Sequence, residues 1–183
     1  MMIEIIAGTN RPNSNAMRVA QLILKHYQEL GREAQILSLA DLPQELFLPT
    51  AYAEKPVSFQ PIQDRISAAE GLHIVVPEYN GSFPGVLKYF IDMLKFPESF
   101  ERRPVAFVGE AAGIWGALRA VEQLQMIFGY RNALQLPERI WIPKIHQALT
   151  PEGELADAFV GGLLKDQVKK FADYVDAVRA VRP

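Results

Sequence analysis

A chain of 183 residues, 49% hydrophobic and 22% charged, has the balance of a soluble globular protein and the length of one α/β domain over 1–183. Its 19 basic and 21 acidic residues leave a formal charge of -2, which argues against a partner held by bulk attraction to a phosphate backbone; nucleic acid is not expected. With no cysteine, disulfides, thiolate metal sites, a cysteine nucleophile and a cysteine-linked cofactor are all excluded, so redox chemistry would need a bound cofactor.

Residues 2–7 form a compact apolar run closed by Gly8, and Val19, Leu22, Ile23 and Tyr27 then recur at helical spacing, so the chain opens strand, loop, helix. The N-terminus lacks the basic start and cleavage site of a signal peptide, and no apolar stretch reaches the roughly 20 residues of a membrane span, so a cytoplasmic protein is expected. Beyond Gly31, residues 34–39 predict a second strand. The Pro-rich stretch 42–61 predicts an irregular connection whose Phe47, Tyr52 and Phe59 pack on something. A short helix over 61–70 precedes 72–76, a β-branched run of the kind found in strands buried on both faces.

Val86, Leu87, Phe90, Ile91 and Leu94 mark a helix over 85–95. The unit then repeats, with a strand over 104–108, a small-residue loop over 109–116 and a helix over 117–128. Residues 133–136 and 140–142 read as two pieces of a last strand, and 155–181 as the closing helix or helices. Strands alternating with helices at this spacing predict right-handed crossovers and a five-stranded, doubly wound parallel sheet with helices on both faces. A ligand then sits beyond the carboxyl ends of the strands, near the switch point.

Three loops reach that edge. The first, GTNRPNSN over 8–15, offers the hydroxyls of Thr9 and Ser14, the amide of Asn15 and the cationic fork of Arg11, beside the positive end of a helix. Together these make a phosphate cradle; alternatively, Ser14 or Asn15 caps the helix and Arg11 is solvated. The second, PEYNGSFPG over 77–85, places Pro77, Glu78, Tyr79, Asn80 and Gly81 where backbone amides and an aromatic face suit a flat heterocycle. The competing reading is a turn closed by Asn80 and Gly81, with Tyr79 in the core. The third, GEAAGIWGA over 109–117, has small residues, Ala111 and Gly113 among them, that let a ligand approach the backbone or let helix pack on strand.

The pairing of GTNRPNSN with PEYNGSFPGVLKYFID resembles the NADPH-dependent FMN reductases, a flavodoxin-like group that includes flavin, quinone, azo-dye and chromate reductases. The resemblance implies that Thr9, Arg11 and Ser14 hold the FMN phosphate and that Pro77, Glu78, Tyr79 and Asn80 contact the isoalloxazine ring. It departs from the family at Ala16, where an asparagine is usual and Asn15 lies one residue early, and at Ala111, where a serine is common; Gly113 matches. It further implies FMN as cofactor, NADPH or NADH as co-substrate, small-molecule acceptors and a homodimer or dimer of dimers. No catalytic side chain is needed for hydride transfer to a flavin. The rival functions are a flavodoxin-type electron carrier and a flavodoxin-like interaction module without cofactor. His26, His73 and His146 show no ligand spacing, so no metal is expected. Lys88 and Asp92 match the family's LKxxxD but are also spaced for a plain helical ion pair. Trp115 is read as lining a pocket or a subunit contact and Trp141 as core.

Overall fold

The computed structural model describes residues 2–181. Five parallel strands, β1 (Met2–Ala7), β2 (Glu33–Ser38), β3 (Gly71–Pro77), β4 (Pro104–Glu110) and β5 (Leu134–Ile142), stand in the order β2-β1-β3-β4-β5. The helices are α1 (Asn15–Glu29), α2 (Gln60–Ala68), α3 (Gly85–Met93), α4 (Leu118–Tyr130), α5 (Ile145–Ala148) and α6 (Ala158–Val181). β3 and β4 are buried along their whole length, as unbroken apolar runs require in a sheet covered on both faces. On one face Ile3, Ile5 and Val75 meet Val19 and Ile23 of α1 and Leu164 and Phe171 of α6. On the other Ile74, Val76 and Phe107 meet Ile66 of α2, Leu87 and Phe90 of α3 and Leu124 of α4.

The last strand differs from its expected two pieces. β5 is continuous, but its pairing with β4 jumps from Gln135 opposite Val105 to Arg139 opposite Phe107, so a bulge accommodates the intervening residues. Pro137 falls in that bulge, on an edge strand where its missing N–H breaks no ladder bond. The closing segment is one helix, beginning at Ala158, with the short α5 before it. The irregular connection after β2 consists of four 3-10 turns between Leu39 and Phe59. Its aromatic residues do pack: Phe59 is buried, and Phe47 stacks on Tyr89 of α3 at 5.1 Å while Tyr52 meets the same ring edge-on.

One polar chain crosses the α1/α6 core. Tyr27 Oη lies 2.8 Å from His73 Nδ1, and His73 Nε2 lies 3.2 Å from Gln167 Oε1. Because that amide oxygen can only accept, the imidazole carries its proton on Nε2, and Tyr27 donates to Nδ1. Gln167 Nε2 then donates to the carbonyls of Phe107 and Glu138, at 3.0 and 2.9 Å, which flank the β5 bulge. Full burial pushes the His73 imidazole down to about 4, with the Gln167 contact opposing. Among the described residues no helix is long and apolar enough to cross a membrane.

Candidate functional site

The chain steps from β1 outward to β2, then returns past β1 to β3, so connections leave the carboxyl ends of β1 and β3 in opposite directions. That reversal opens a crevice between the two loops. Gly8 begins the first loop with its N–H on Val75 O at 2.9 Å, and a Cβ there would lie 2.5 Å from the same oxygen. Only glycine lets β1 and β3 stay this close as the loop departs. Gly8→Ala is therefore expected to cost about 2 kcal/mol in urea unfolding and to lower flavin content, because the two loops must part.

From Gly8 the loop runs to Ser14, whose hydroxyl accepts from Met17 N–H at 3.1 Å and so caps α1. The capping reading is thus correct as geometry, and it leaves the earliest amides of α1 facing the cleft. Thr9 is buried, its hydroxyl 2.8 Å from Tyr79 Oη and 3.2 Å from Arg11 N–H. This bond ties the first loop to the second. Arg11 is exposed at the rim.

The second loop is a two-residue turn. Tyr79 and Ser82 exchange backbone bonds of 2.7 and 3.1 Å around Asn80 and Gly81, whose φ values of 53° and 76° are those of a type I′ turn. Tyr79 is not in the core, as the competing reading had it, but stands 37% exposed and lines the cleft. Gln123 of α4 buttresses the turn, accepting from Ser82 Oγ at 2.6 Å. The third loop closes the cleft: Ala111 N–H donates to Ile142 O and its carbonyl accepts from Ile145 N–H, so both its main-chain groups are already used. Gly113 is exposed further out, its carbonyl taken by Lys144 N–H.

These loops enclose a cleft of about 380 Å³ lined by Arg11, Ser14, Asn15, Pro77, Glu78, Tyr79 and Ala111, within the usual range for a small-molecule site. Asn80 lines a second hollow on the far side of Tyr79, together with Asn10 and Arg11. Gly81 and Gly113 line neither and contribute turn geometry. Glu78 lines the cleft, and its Oε2 is buried without a hydrogen-bond partner.

Two cleft residues escaped the sequence reading. Glu110 ends β4, only 6% exposed, and burial pushes its carboxyl up to about 7 despite the opposing pull of Arg11. A glutamate closing an otherwise apolar buried run was the available signal. His146, set aside for want of ligand spacing, is carried to the cleft by α5, where its Nδ1 lies 3.4 Å from Asn15 Nδ2. No local pattern announces it, since 131 residues separate the pair. Lys88 and Asp92 make the plain helical ion pair at 2.7 Å, and Trp115 is 61% exposed while Trp141 packs against the core.

The model of the NADPH-dependent FMN reductase family matches residues 1–147. The FMN reductase (NADPH) of Pseudomonas aeruginosa is 27% identical over 136 residues, 74% of this chain and 73% of that protein. The FMN-dependent NADPH-azoreductase of Staphylococcus aureus is 31% identical over 114 residues, 60% of each. Among solved structures, the flavoenzyme NAD(P)H:(acceptor) oxidoreductase FerB of Paracoccus denitrificans superposes with a TM-score of 0.79 at 25% identity, covering 96% of this chain and 97% of that one. The electron-carrier alternative is not favoured: the chain belongs to the NADPH-dependent FMN reductase family and is an NAD(P)H-dependent FMN oxidoreductase.

Proposed function

We propose that the crevice at the β1/β3 switch point holds FMN and passes reducing equivalents from NAD(P)H to a quinone, a free flavin or an azo compound. The observation that carries this reading is the convergence of the 8–15 loop, the Tyr79 turn and the Ala111 loop on one cleft. In this reading Arg11, Ser14 and the first turn of α1 take the phosphate with Asn15 beside them, and the buried Thr9, which lines neither hollow, holds the loop in place through Tyr79 and Arg11 N–H. Pro77, Glu78, Tyr79 and Asn80 offer an aromatic ring and backbone groups for a planar ligand and Ala111 bounds it, while Gly81 and Gly113 shape the loops that carry these residues.

Bound there, the flavin supplies two-electron chemistry; the protein binds, orients and leaves one face open for donor and acceptor in turn. The relatives' names support this reading: one is an FMN reductase, another an azoreductase, and a third reacts with an unspecified acceptor. A cytoplasmic homodimer is part of the same proposal. Met126 and Tyr130, four residues apart on α4, are 75% and 80% exposed, an apolar stripe on the helix that buttresses the Tyr79 turn.

The test is the visible spectrum of the purified protein before and after anaerobic addition of NADPH. Flavin bands that bleach, and return when a quinone or azo dye is added, are expected. A protein that stays colourless after incubation with FMN would remove the cofactor from this cleft.

A further inference from the structure

Charge in the cleft does not by itself favour a phosphate dianion. Arg11 is the cation of the first loop, while the third loop places Glu110 opposite it and the second contributes Glu78. Two carboxyls against one guanidinium leave the side chains of these three loops without a surplus of positive charge, and the end of α1 adds the helix dipole. The remaining group facing the same space from a different element is the imidazole of His146, on α5. Lys144, just before it, lines a neighbouring hollow instead.

Its contact with Asn15 sets how that ring presents itself. Asn15 Nδ2 donates to His146 Nδ1, which leaves the neutral ring's proton on Nε2. If the ring takes a second proton, Nδ1–H turns to the amide oxygen of Asn15 after rotation of that amide, and Nε2–H is unchanged. In both states a donor points away from Asn15. Asn15 is also the first residue of α1, directly after the Ser14 cap, so its side chain holds the imidazole at the helix's first turn.

We propose that His146 is a ligand of the FMN phosphate and that Asn15 is the positioning residue that aims it. This rests on the FMN reading of the cleft. It also gives Asn15 a role that does not require it to reach the phosphate.

The test is titration of flavin-free protein with FMN and with riboflavin, which lacks the phosphate, for the wild type, His146→Ala, Asn15→Ala and the double variant. His146 is exposed, so its removal leaves the fold intact, as thermal unfolding would verify. His146→Ala is expected to weaken FMN binding about 5- to 20-fold, the effect of one charge-assisted hydrogen bond, and to leave riboflavin unaffected. Asn15→Ala is expected to weaken FMN less and to add little in the double variant, because it acts through the ring.

An FMN affinity equal to the wild type's in His146→Ala overturns the assignment, as does an equal loss for FMN and riboflavin. An unchanged FMN affinity with a raised KM for NADPH, and not for NADH, moves the imidazole to the dinucleotide's 2′-phosphate and likewise overturns it. Additive losses in the double variant remove Asn15 from the positioning role. A wild type that binds neither flavin overturns the FMN reading itself, and the assignment with it.

Discussion

Replacing Glu110 with glutamine stabilises the flavin-free protein by roughly 3 kcal/mol at pH 8 and leaves it unchanged at pH 4. The folded carboxyl titrates at about 7 and the unfolded one near 4.5. Below 4.5 both states hold the proton, and the side chain is neutral in each. As pH rises through that interval the unfolded chain releases its proton first, so stability is lost until the folded group also ionises near 7; the full difference is worth roughly 3 kcal/mol. His73 acts with the opposite sign. Its folded value is about 4 against 6.5 unfolded, so its contribution is complete above 6.5 and is lost as pH falls toward 4. For these two groups the slopes offset across the middle of that range, and Glu110→Gln uncovers a stability that rises with pH there. Urea midpoints measured at intervals from pH 4 to 8 decide it. A variant that tracks the wild type throughout places the Glu110 carboxyl in water.

Gln167→Leu is expected to cost about 3 to 5 kcal/mol. The amide satisfies His73 Nε2–H and donates to the carbonyls of Phe107 and Glu138, and leucine of similar size keeps the packing while deleting all three bonds and leaving the buried His73 N–H without a partner. Each such loss costs roughly 1 to 3 kcal/mol, reduced where water reaches the bulge. Urea unfolding measures the cost, and a penalty under 1 kcal/mol would mean that the bulge carbonyls are hydrated. His73→Leu and Tyr27→Phe on top of Gln167→Leu remove the orphaned imidazole N–H together with the hydroxyl that bonds the ring, and should recover part of the loss.

The sheet was legible because β3 and β4 are apolar runs broken only by His73 and by the closing Glu110, and their flanking segments carry helical spacing. The strand order was not, since periodicity records which residues are buried and not what they are buried against. Pro137 and Glu138 made β5 look like two strands, because local propensity sees the break and only β4 holds the pieces in line. At the site, the first two loops declared themselves through hydroxyl, amide and glycine chemistry. The alternatives weighed against them were partly true as well: Ser14 is a cap, and Asn80–Gly81 is a tight turn. A cap and a turn are how such loops are built, so neither excludes a ligand. Glu110 and His146 were missed for different reasons. Glu110 sits inside a strand otherwise read for its apolar residues, and His146 enters only because α5 folds back over α1.

The bulge has one more consequence, at the boundary of the sheet. An exposed strand edge is a template on which a second chain can add, with aggregation as the usual outcome. Along β5 that template is broken: Pro137 has no N–H to offer, the bulge throws the neighbouring groups out of line, and Glu138 and Arg139 place charges beside the gap. A foreign strand laid there would lose bonds at the middle of its length. Copies of this chain that meet in solution therefore find at β5 an edge that resists strand-to-strand growth.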